Sequence, residues 1–239
     1  MEDRIKKGVL VTGADAGLGL SLVKRFLQGG YAVFAGVHRS AVDLNGLAGE
    51  YGDSLALIPL DVADVDSVRA AARQVNERTS ALDIIVNNAG IHLKDSQQSL
   101  EQLDFADRQF QQTMEVNTFG PLHIVQQFYS LLEKGEQKLI LNISSEAGSI
   151  SDCQRENQFA YCMSKAALNM QSKILQNYLK PRGFKVLAVH PGWMRTNMGG
   201  PNAALDPDES ADGIFQLAAR EWKADDPIYL DFRGDPLPW

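Results

Sequence analysis

The sequence predicts an α/β fold in which helices cover both faces of a mostly or fully parallel sheet of about seven strands. Short runs that are apolar throughout alternate along the chain with longer amphipathic stretches. Strands without polar alternation are typical of a parallel sheet that is buried on both faces, and right-handed crossovers then give a doubly wound topology. The 239 residues show no repeat and no low-complexity linker, so we expect a single domain over 1–239.

The individual elements follow from hydrophobic periodicity. Strands are predicted at 9–11, 31–35, 55–60, 84–86, 139–143 and 186–189. Helices are predicted at about 18–28, 105–132 and 159–179, with Pro121 as a candidate kink in the second of these. A further helix is expected to begin after Asp64, which stands where an N-cap is wanted.

Composition and charge exclude several classes of protein. A formal net charge of −7 argues against a general nucleic-acid or anionic-membrane partner. No apolar run approaches the roughly 18 residues of a membrane helix, and the charged first residues do not resemble a signal peptide, so we expect a cytoplasmic protein. Cys153, Cys162 and the four scattered histidines show no metal-ligand spacing, so no metal site is expected.

A glycine-rich turn follows the first predicted strand and has the spacing G-x-x-x-G-x-G. Glycine permits positive φ and lets backbone N–H groups approach a pyrophosphate, while the following helix N-terminus favours an anion. Helix packing alone could also explain such a turn, but its position at the first strand–helix junction favours the phosphate loop of a Rossmann-like fold. The expected cofactor contacts in this loop are Gly13, Asp15, Ala16, Gly17, Leu18 and Gly19.

The end of the second strand bears on the choice of nicotinamide dinucleotide. An NAD site usually has an acidic residue there, which binds the ribose 2′-hydroxyl. Here His38 and Arg39 stand in its place, and an arginine can bind a 2′-phosphate with paired hydrogen bonds. We therefore expect NADP(H) rather than NAD(H), although Arg39 could be a solvated surface charge and Asp15 opposes the assignment.

A candidate catalytic pair lies in the predicted helix at 159–179. Tyr161 and Lys165 are four residues apart, which places both side chains on one helix face. Ser145 follows the fifth predicted strand, at the carboxyl edge where open α/β proteins place their sites, and Asn117 lies in the preceding helical region. Tyr161, Lys165 and Ser145 each have an ordinary structural alternative: a packing ring, a solvated charge and a strand-end cap. The conjunction in this order favours a site.

The ordered set of motifs resembles the short-chain dehydrogenase/reductase family. The matching residues are Thr12-Gly13-x-x-x-Gly17-x-Gly19, Asp61, Asn87-Asn88-Ala89-Gly90, Asn117, Ser145, Tyr161-x-x-x-Lys165 and Pro191-Gly192. The segment from His190 to Gly200 and the terminal Pro236-Leu237-Pro238-Trp239 are similar to a subgroup that includes C-factor-like and sniffer-like carbonyl reductases. Ser145 is preferred to Ser144 because the family's serine is usually the second of such a pair. The interval from Ser145 to Tyr161 is longer than usual, which predicts a longer substrate-side loop at 146–158.

The resemblance implies an NADP(H)-dependent oxidoreductase that acts on a small carbonyl or alcohol. Tyr161 would exchange a proton with the substrate oxygen, Lys165 would lower the pKa of Tyr161 and hold the nicotinamide ribose, Ser145 would polarise the carbonyl, and Asn117 would hold a relay water. The resemblance also implies cofactor contacts from Asp61, Val62, Asn88, Ala89, Gly90, Tyr161, Lys165, Pro191, Gly192, Met194 and Thr196.

Three further expectations accompany the resemblance. Substrate contacts should come from 91–96, 148–158 and 193–205, with Trp193, Met194 and Met198 as apolar walls. The helices at 105–132 and 159–179 should pair copies of the chain into a homodimer or homotetramer. The alternative function is a regulatory protein that binds NADP(H) without turnover.

Overall fold

A computed structural model of the chain describes residues 6–40, 42–93 and 98–239. Seven strands form one sheet: β1 (Gly8–Val11), β2 (Ala32–Val37), β3 (Leu55–Pro59), β4 (Ile84–Asn87), β5 (Leu139–Ile143), β6 (Lys185–His190) and β7 (Tyr229–Asp231). Their spatial order is β3-β2-β1-β4-β5-β6-β7, and every neighbouring pair is parallel. The predicted doubly wound, Rossmann-like sheet is confirmed.

The helices are α1 (Gly17–Gln28), α2 (Val42–Tyr51), α3 (Val65–Asn76), α4 (Gln109–Met114), α5 (Gly120–Glu133), α6 (Phe159–Leu179) and α7 (Pro207–Ala219). Asp64 caps α3 as predicted, because its side chain accepts hydrogen bonds from the N–H groups of Asp66 and Ser67. Across the described residues, none of the helices is long and apolar enough to cross a membrane.

The core consists of two apolar clusters, one on each face of the sheet. Phe26 of α1 and Ile214 of α7 are fully buried in the first cluster. Val68 of α3 and Phe128 of α5 are fully buried in the second. Both faces of the strands are therefore covered, which is why the strand sequences are apolar throughout.

The predicted helix at 105–132 is wrong at its start and in its continuity. It begins at Gln109, because Asp104 accepts a hydrogen bond from the Ala106 N–H (2.8 Å) in a turn before it. A π-helical turn, Glu115–Phe119, then separates α4 from α5. Pro121 lies in the first turn of α5 rather than at a kink inside a continuous helix. Since proline has no N–H, it cannot donate the bond that an α-helix would give to the Asn117 carbonyl.

An amide from α6 repairs the break in this helix. In the amide orientation that gives both groups a partner, the Gln171 side chain donates to the Thr118 carbonyl (2.8 Å) and accepts from the Leu122 N–H (3.2 Å). These are the two groups that an uninterrupted α-helix would pair with each other. Helix α6, which carries Tyr161 and Lys165, therefore also supports the irregular turn that carries Asn117.

Candidate active site

A cleft of about 1270 Å³ opens at the carboxyl edge of the sheet. It lies where the chain, after building outward from β1 to β3, returns to add β4 on the other side of β1. Such a switch point is where open α/β folds bind their ligands. All the predicted cofactor-binding residues line this cleft except Gly192.

Gly192 has a packing role instead. Its φ is +81°, and a Cβ at this position would collide with the Leu205 side chain and lie 3.3 Å from Phe232. Gly192 does not line the cleft in this structure, and its contact with the cofactor stays a prediction. The glycine is required where the chain turns after β6 and passes between two apolar side chains.

The glycine loop has the shape that a pyrophosphate needs. Gly13 and Gly17 adopt positive φ of 64° and 54°, and a Cβ on Gly13 would lie 2.8 Å from Ala89. Ala16 precedes α1 and makes no side-chain capping bond, and the first turn of α1 has no acidic residue. The N–H groups at the start of α1 are therefore left for an anion. The loop fits the phosphates of a dinucleotide.

Asn88 secures this loop to the end of β4. Its amide donates to the carbonyls of Thr12 (2.9 Å) and Gly13 (3.0 Å), while the Thr12 hydroxyl accepts from the N–H groups of Asn88 and Ala89. The Asn88 side chain therefore supports the phosphate loop, and the residue also lines the cleft.

The rim of the cleft at the end of β2 carries the groups that would attract or repel the 2′-phosphate of a bound cofactor. The Asp15 carboxylate accepts hydrogen bonds from the N–H groups of His38 (2.9 Å), Arg39 (2.6 Å) and Ser40 (3.2 Å). The His38 imidazole lies 3.4 Å from the Asp61 carboxylate. Among the described residues, no carboxylate comes within ion-pair distance of the exposed Arg39 guanidinium.

Lys165 is buried at the inner end of the cleft, with 5% of its surface exposed. Its Nζ donates to the Ile143 carbonyl (2.9 Å) and lies 5.8 Å from the centre of the Tyr161 ring. Burial lowers the pKa of Lys165 to about 8. The ammonium form still predominates near neutral pH, so a positive charge stands beside Tyr161.

The pKa of Tyr161 is raised in the free protein, and the lowering expected from Lys165 with a bound nicotinamide stays a prediction. Burial is the main cause, the hydrogen bond with the Ser145 side chain partly offsets it, and the Glu146 charge raises it further. Desolvation penalises the phenolate. Tyr161 is therefore protonated at neutral pH in the free protein, which is the state that a proton donor requires.

Ser145 and Ser144 are distinguished by their hydrogen bonds. Ser144 lines the cleft, but its hydroxyl hydrogen is used in a bond to Asn169 Oδ1 (2.6 Å). The Ser145 hydroxyl oxygen accepts from the Ala147 N–H (3.1 Å), as the cap of the 3₁₀ turn Glu146–Gly148. The Ser145 hydroxyl also hydrogen-bonds to Tyr161, whereas the Ser144 hydrogen is used elsewhere, so the geometry favours Ser145 as the polarising serine.

Asn117 is buried in the π-helical turn and its side chain is a tie between elements. Its Oδ1 accepts from the Ile91 N–H (2.8 Å), and its Nδ2 donates to the Ile91 carbonyl (2.9 Å) and to the Ser164 hydroxyl (3.0 Å). Both amide hydrogens are used, and the Oδ1 already accepts one bond. The main-chain carbonyl of Asn117 lacks the donor that an α-helix would provide, because that position is Pro121.

Sequence reasoning missed two features on the substrate side of Tyr161. The His92 ring stacks on the Tyr161 ring with centroids 4.2 Å apart. Burial, with the charges of Arg155 and Lys165, lowers the pKa of His92. Arg155 forms a two-bond ion pair with Glu146 (2.8 and 2.7 Å) across the loop after Ser145. A single histidine has no spacing pattern from which its role could be predicted. For Arg155, the only indication in the sequence was the length of this loop.

The predicted substrate segments contribute unequally. Ile91 lines the cleft, whereas residues 94–96 lie outside the described residues. Residues 148–158 do not line it, since that loop folds back onto its own ion pair. Met194 and Met198 line it as expected. Trp193 does not, because its indole donates to the Gly199 carbonyl (2.8 Å) and its ring faces solvent.

Comparison with known proteins identifies the family. A family model described as short chain dehydrogenase matches residues 7–205, and the chain belongs to this family of oxidoreductases. It is 32% identical over 164 residues to the C-signal protein of Myxococcus xanthus, an alignment spanning 69% of this chain and 96% of that protein.

Two solved structures are similar over nearly the whole chain. The NADPH-bound carbonyl reductase from chicken fatty liver matches with a TM-score of 0.88 and 32% identity, covering 99% of this chain and 100% of that one. The carbonyl reductase Sniffer of D. melanogaster matches with a TM-score of 0.90 and 27% identity, covering 98% and 100%.

Proposed function

We propose that the chain is a single-domain, NADP(H)-dependent oxidoreductase that interconverts a carbonyl compound and an alcohol, with Tyr161 as the general acid and base. The observation that carries this proposal is a single cleft whose two ends carry different chemical groups. Tyr161 and Lys165 line one end, where the Ser145 side chain hydrogen-bonds to Tyr161, and the uncapped N-terminus of α1 stands at the other.

The proposed mechanism assigns each side chain a step. A bound nicotinamide supplies or accepts the hydride at the substrate carbon. In reduction, the Ser145 hydroxyl donates a hydrogen bond to the carbonyl oxygen and so stabilises the negative charge that develops there. Tyr161 transfers its proton to that oxygen, and the Lys165 ammonium stabilises the resulting phenolate. A water held at the Asn117 carbonyl returns a proton to Tyr161.

NADP(H) is preferred to NAD(H) in this proposal because Arg39 lines the rim without a carboxylate partner among the described residues. The chicken carbonyl reductase, which is described as NADPH-bound, supports the same choice. A regulatory protein that binds NADP(H) without turnover is the alternative. The presence of Tyr161, Lys165 and Ser145 in one arrangement favours catalysis.

The test is oxidation of NADPH and of NADH by the purified protein against a panel of aldehydes and ketones. Turnover that favours NADPH is the expected result. Calorimetric binding of NADPH, measured in parallel, distinguishes the two functions. Binding without turnover across the panel would favour the regulatory protein, and the absence of binding would contradict both.

We also propose that a second copy of the chain packs against α6. Four apolar side chains along this helix are each more than half exposed: Met163, Met170, Ile174 and Tyr178. Phe119 and Leu122 are exposed at the start of α5. Exposed apolar surface on two neighbouring helices is typical of an interface. Native mass in solution should be a multiple of 26.3 kDa, and Ile174→Glu should reduce it. A wild-type mass of one chain at micromolar concentration would contradict the proposal.

A further inference from the structure

The last strand contributes a hydrogen bond to the main chain of the proposed polarising serine. Tyr229 of β7 is 1% exposed, and its hydroxyl donates to the Ser145 carbonyl (2.6 Å). The same carbonyl accepts from the Gly148 N–H (3.0 Å), so both of its acceptor positions are used. Burial raises the pKa of Tyr229 to about 12, so this hydroxyl remains a donor at any physiological pH.

The segment Pro236-Leu237-Pro238-Trp239 holds Tyr229 from outside. The Trp239 ring stacks on the Tyr229 ring with centroids 5.1 Å apart and planes inclined by 29°. The Leu237 N–H donates to the Tyr229 carbonyl (2.9 Å). The Trp239 carbonyl accepts from the Ser151 N–H (2.8 Å), so this segment also reaches the far side of the turn that follows Ser145.

The turn from Ser145 to Ser151 is thus fixed on two sides. From α6, Asn169 accepts from the Ser144 hydroxyl and donates to the Gly148 carbonyl (3.1 Å). From the end of the chain, Tyr229 and Trp239 bond to residues at either end of the turn. Residues 229–239 lie beyond the stretch that matches the family model, which ends at 205. The second support is therefore separate from the motifs that define the family.

We propose that Tyr229 and Trp239 are positioning residues, which hold the Ser145 backbone so that its hydroxyl points at the substrate oxygen. The inference rests on the proposed carbonyl chemistry, in which Ser145 stabilises developing charge. Such stabilisation depends on donors that are fixed in advance, because reorientation during the reaction lowers its value. The two aromatic residues provide that fixation without lining the cleft themselves.

The kinetic test compares Tyr229→Phe and Trp239→Ala with two matched controls. Tyr129→Phe removes a hydroxyl that donates to exposed Glu133 (2.6 Å), and Trp222→Ala removes another indole from the same end of the chain. The two test variants should lower kcat by about three- to tenfold, the value of a typical hydrogen bond, while the NADPH Kd stays within about twofold. The control variants should retain wild-type kcat.

A double-mutant cycle with Ser145→Ala separates positioning from general loss of packing. If Tyr229 acts through Ser145, Tyr229→Phe should have almost no further effect on kcat in the Ser145→Ala background. Additive losses, or an equal loss in Trp222→Ala, would overturn the proposal.

Amide hydrogen exchange tests the same contacts without requiring turnover. Trp239→Ala should speed exchange at the Ser151 and Ala147 N–H groups by about tenfold, with exchange in β1 unchanged. Unchanged exchange at both groups would overturn the proposed support even if the enzyme is active. Faster exchange in a protein with no reductase activity would instead leave the support intact and contradict the proposed function.

Discussion

The two ends of the cleft are built on different principles. At the inner end, Lys165 and Ser145 are buried and Tyr161 is desolvated. Lys165 donates to the Ile143 carbonyl, the Ser145 carbonyl accepts from the Tyr229 hydroxyl, and Tyr161 hydrogen-bonds to the Ser145 side chain. At the outer end, the side chains of His38 and Arg39 are exposed, and their loop is held by the carboxylate of Asp15. Charges in a dry, fixed setting interact strongly, whereas exposed charges are screened. Substitutions should therefore have large effects on chemistry at the inner end and smaller effects, confined to cofactor choice, at the outer end.

Tyr161→Phe should have the largest effect. The substitution keeps the ring that stacks on His92 and removes only the proton donor. General acid catalysis contributes about 10²- to 10⁴-fold, so kcat should fall by about that factor while the NADPH Kd changes by less than about twofold. Steady-state kinetics and calorimetry make the measurement, with Cys162→Ser, the next residue on the helix, as control. Retained turnover would remove Tyr161 from the mechanism.

Arg39→Asp should have an intermediate effect that is selective for the cofactor. A charged hydrogen bond to a phosphate contributes more than a neutral one, so the NADPH Kd should rise by about 10- to 100-fold. The NADH Kd should change little, because NADH has no 2′-phosphate. Fluorescence titration with both cofactors makes the comparison, and Arg78→Asp, two residues after the end of α3, controls for net charge. Equal weakening of the two cofactors would show that Arg39 does not meet the 2′-phosphate.

The sequence predicted most of the inner end because its features are motifs with fixed spacing. A tyrosine and a lysine one helical turn apart, and a serine at the end of a strand, keep their relation in any parallel sheet of this order. It did not show which direction the pKa of Tyr161 takes, because burial depends on how α6 packs. It also did not show the packing role of Gly192, which depends on Leu205, thirteen residues further along the chain.

The supports of the site were not visible in the sequence, because they join residues far apart in the chain. Gln171 repairs a helix that Pro121 interrupts, and nothing in its own surroundings on α6 indicates this. β7 was not identified as an element, because three residues show no usable periodicity. Tyr229 therefore had no predicted place, although its hydroxyl lies 2.6 Å from the Ser145 carbonyl.

Asp15→Asn should have the smallest effect, and it tests whether a single charge at the exposed outer end changes the preference for NADPH over NADH. The Asp15 carboxylate binds three backbone N–H groups next to Arg39, so its charge repels a 2′-phosphate on this rim. Asparagine keeps an oxygen that accepts from those N–H groups and removes the charge. Affinity for NADPH relative to NADH should rise by about two- to fivefold, because the rim is exposed and screened. Fluorescence titration at low and at high salt makes the measurement, and the gain should shrink as salt increases. If both cofactors bind more weakly and in equal measure, the carboxylate serves only to hold the 38–40 loop, and cofactor choice at this end depends on Arg39 alone.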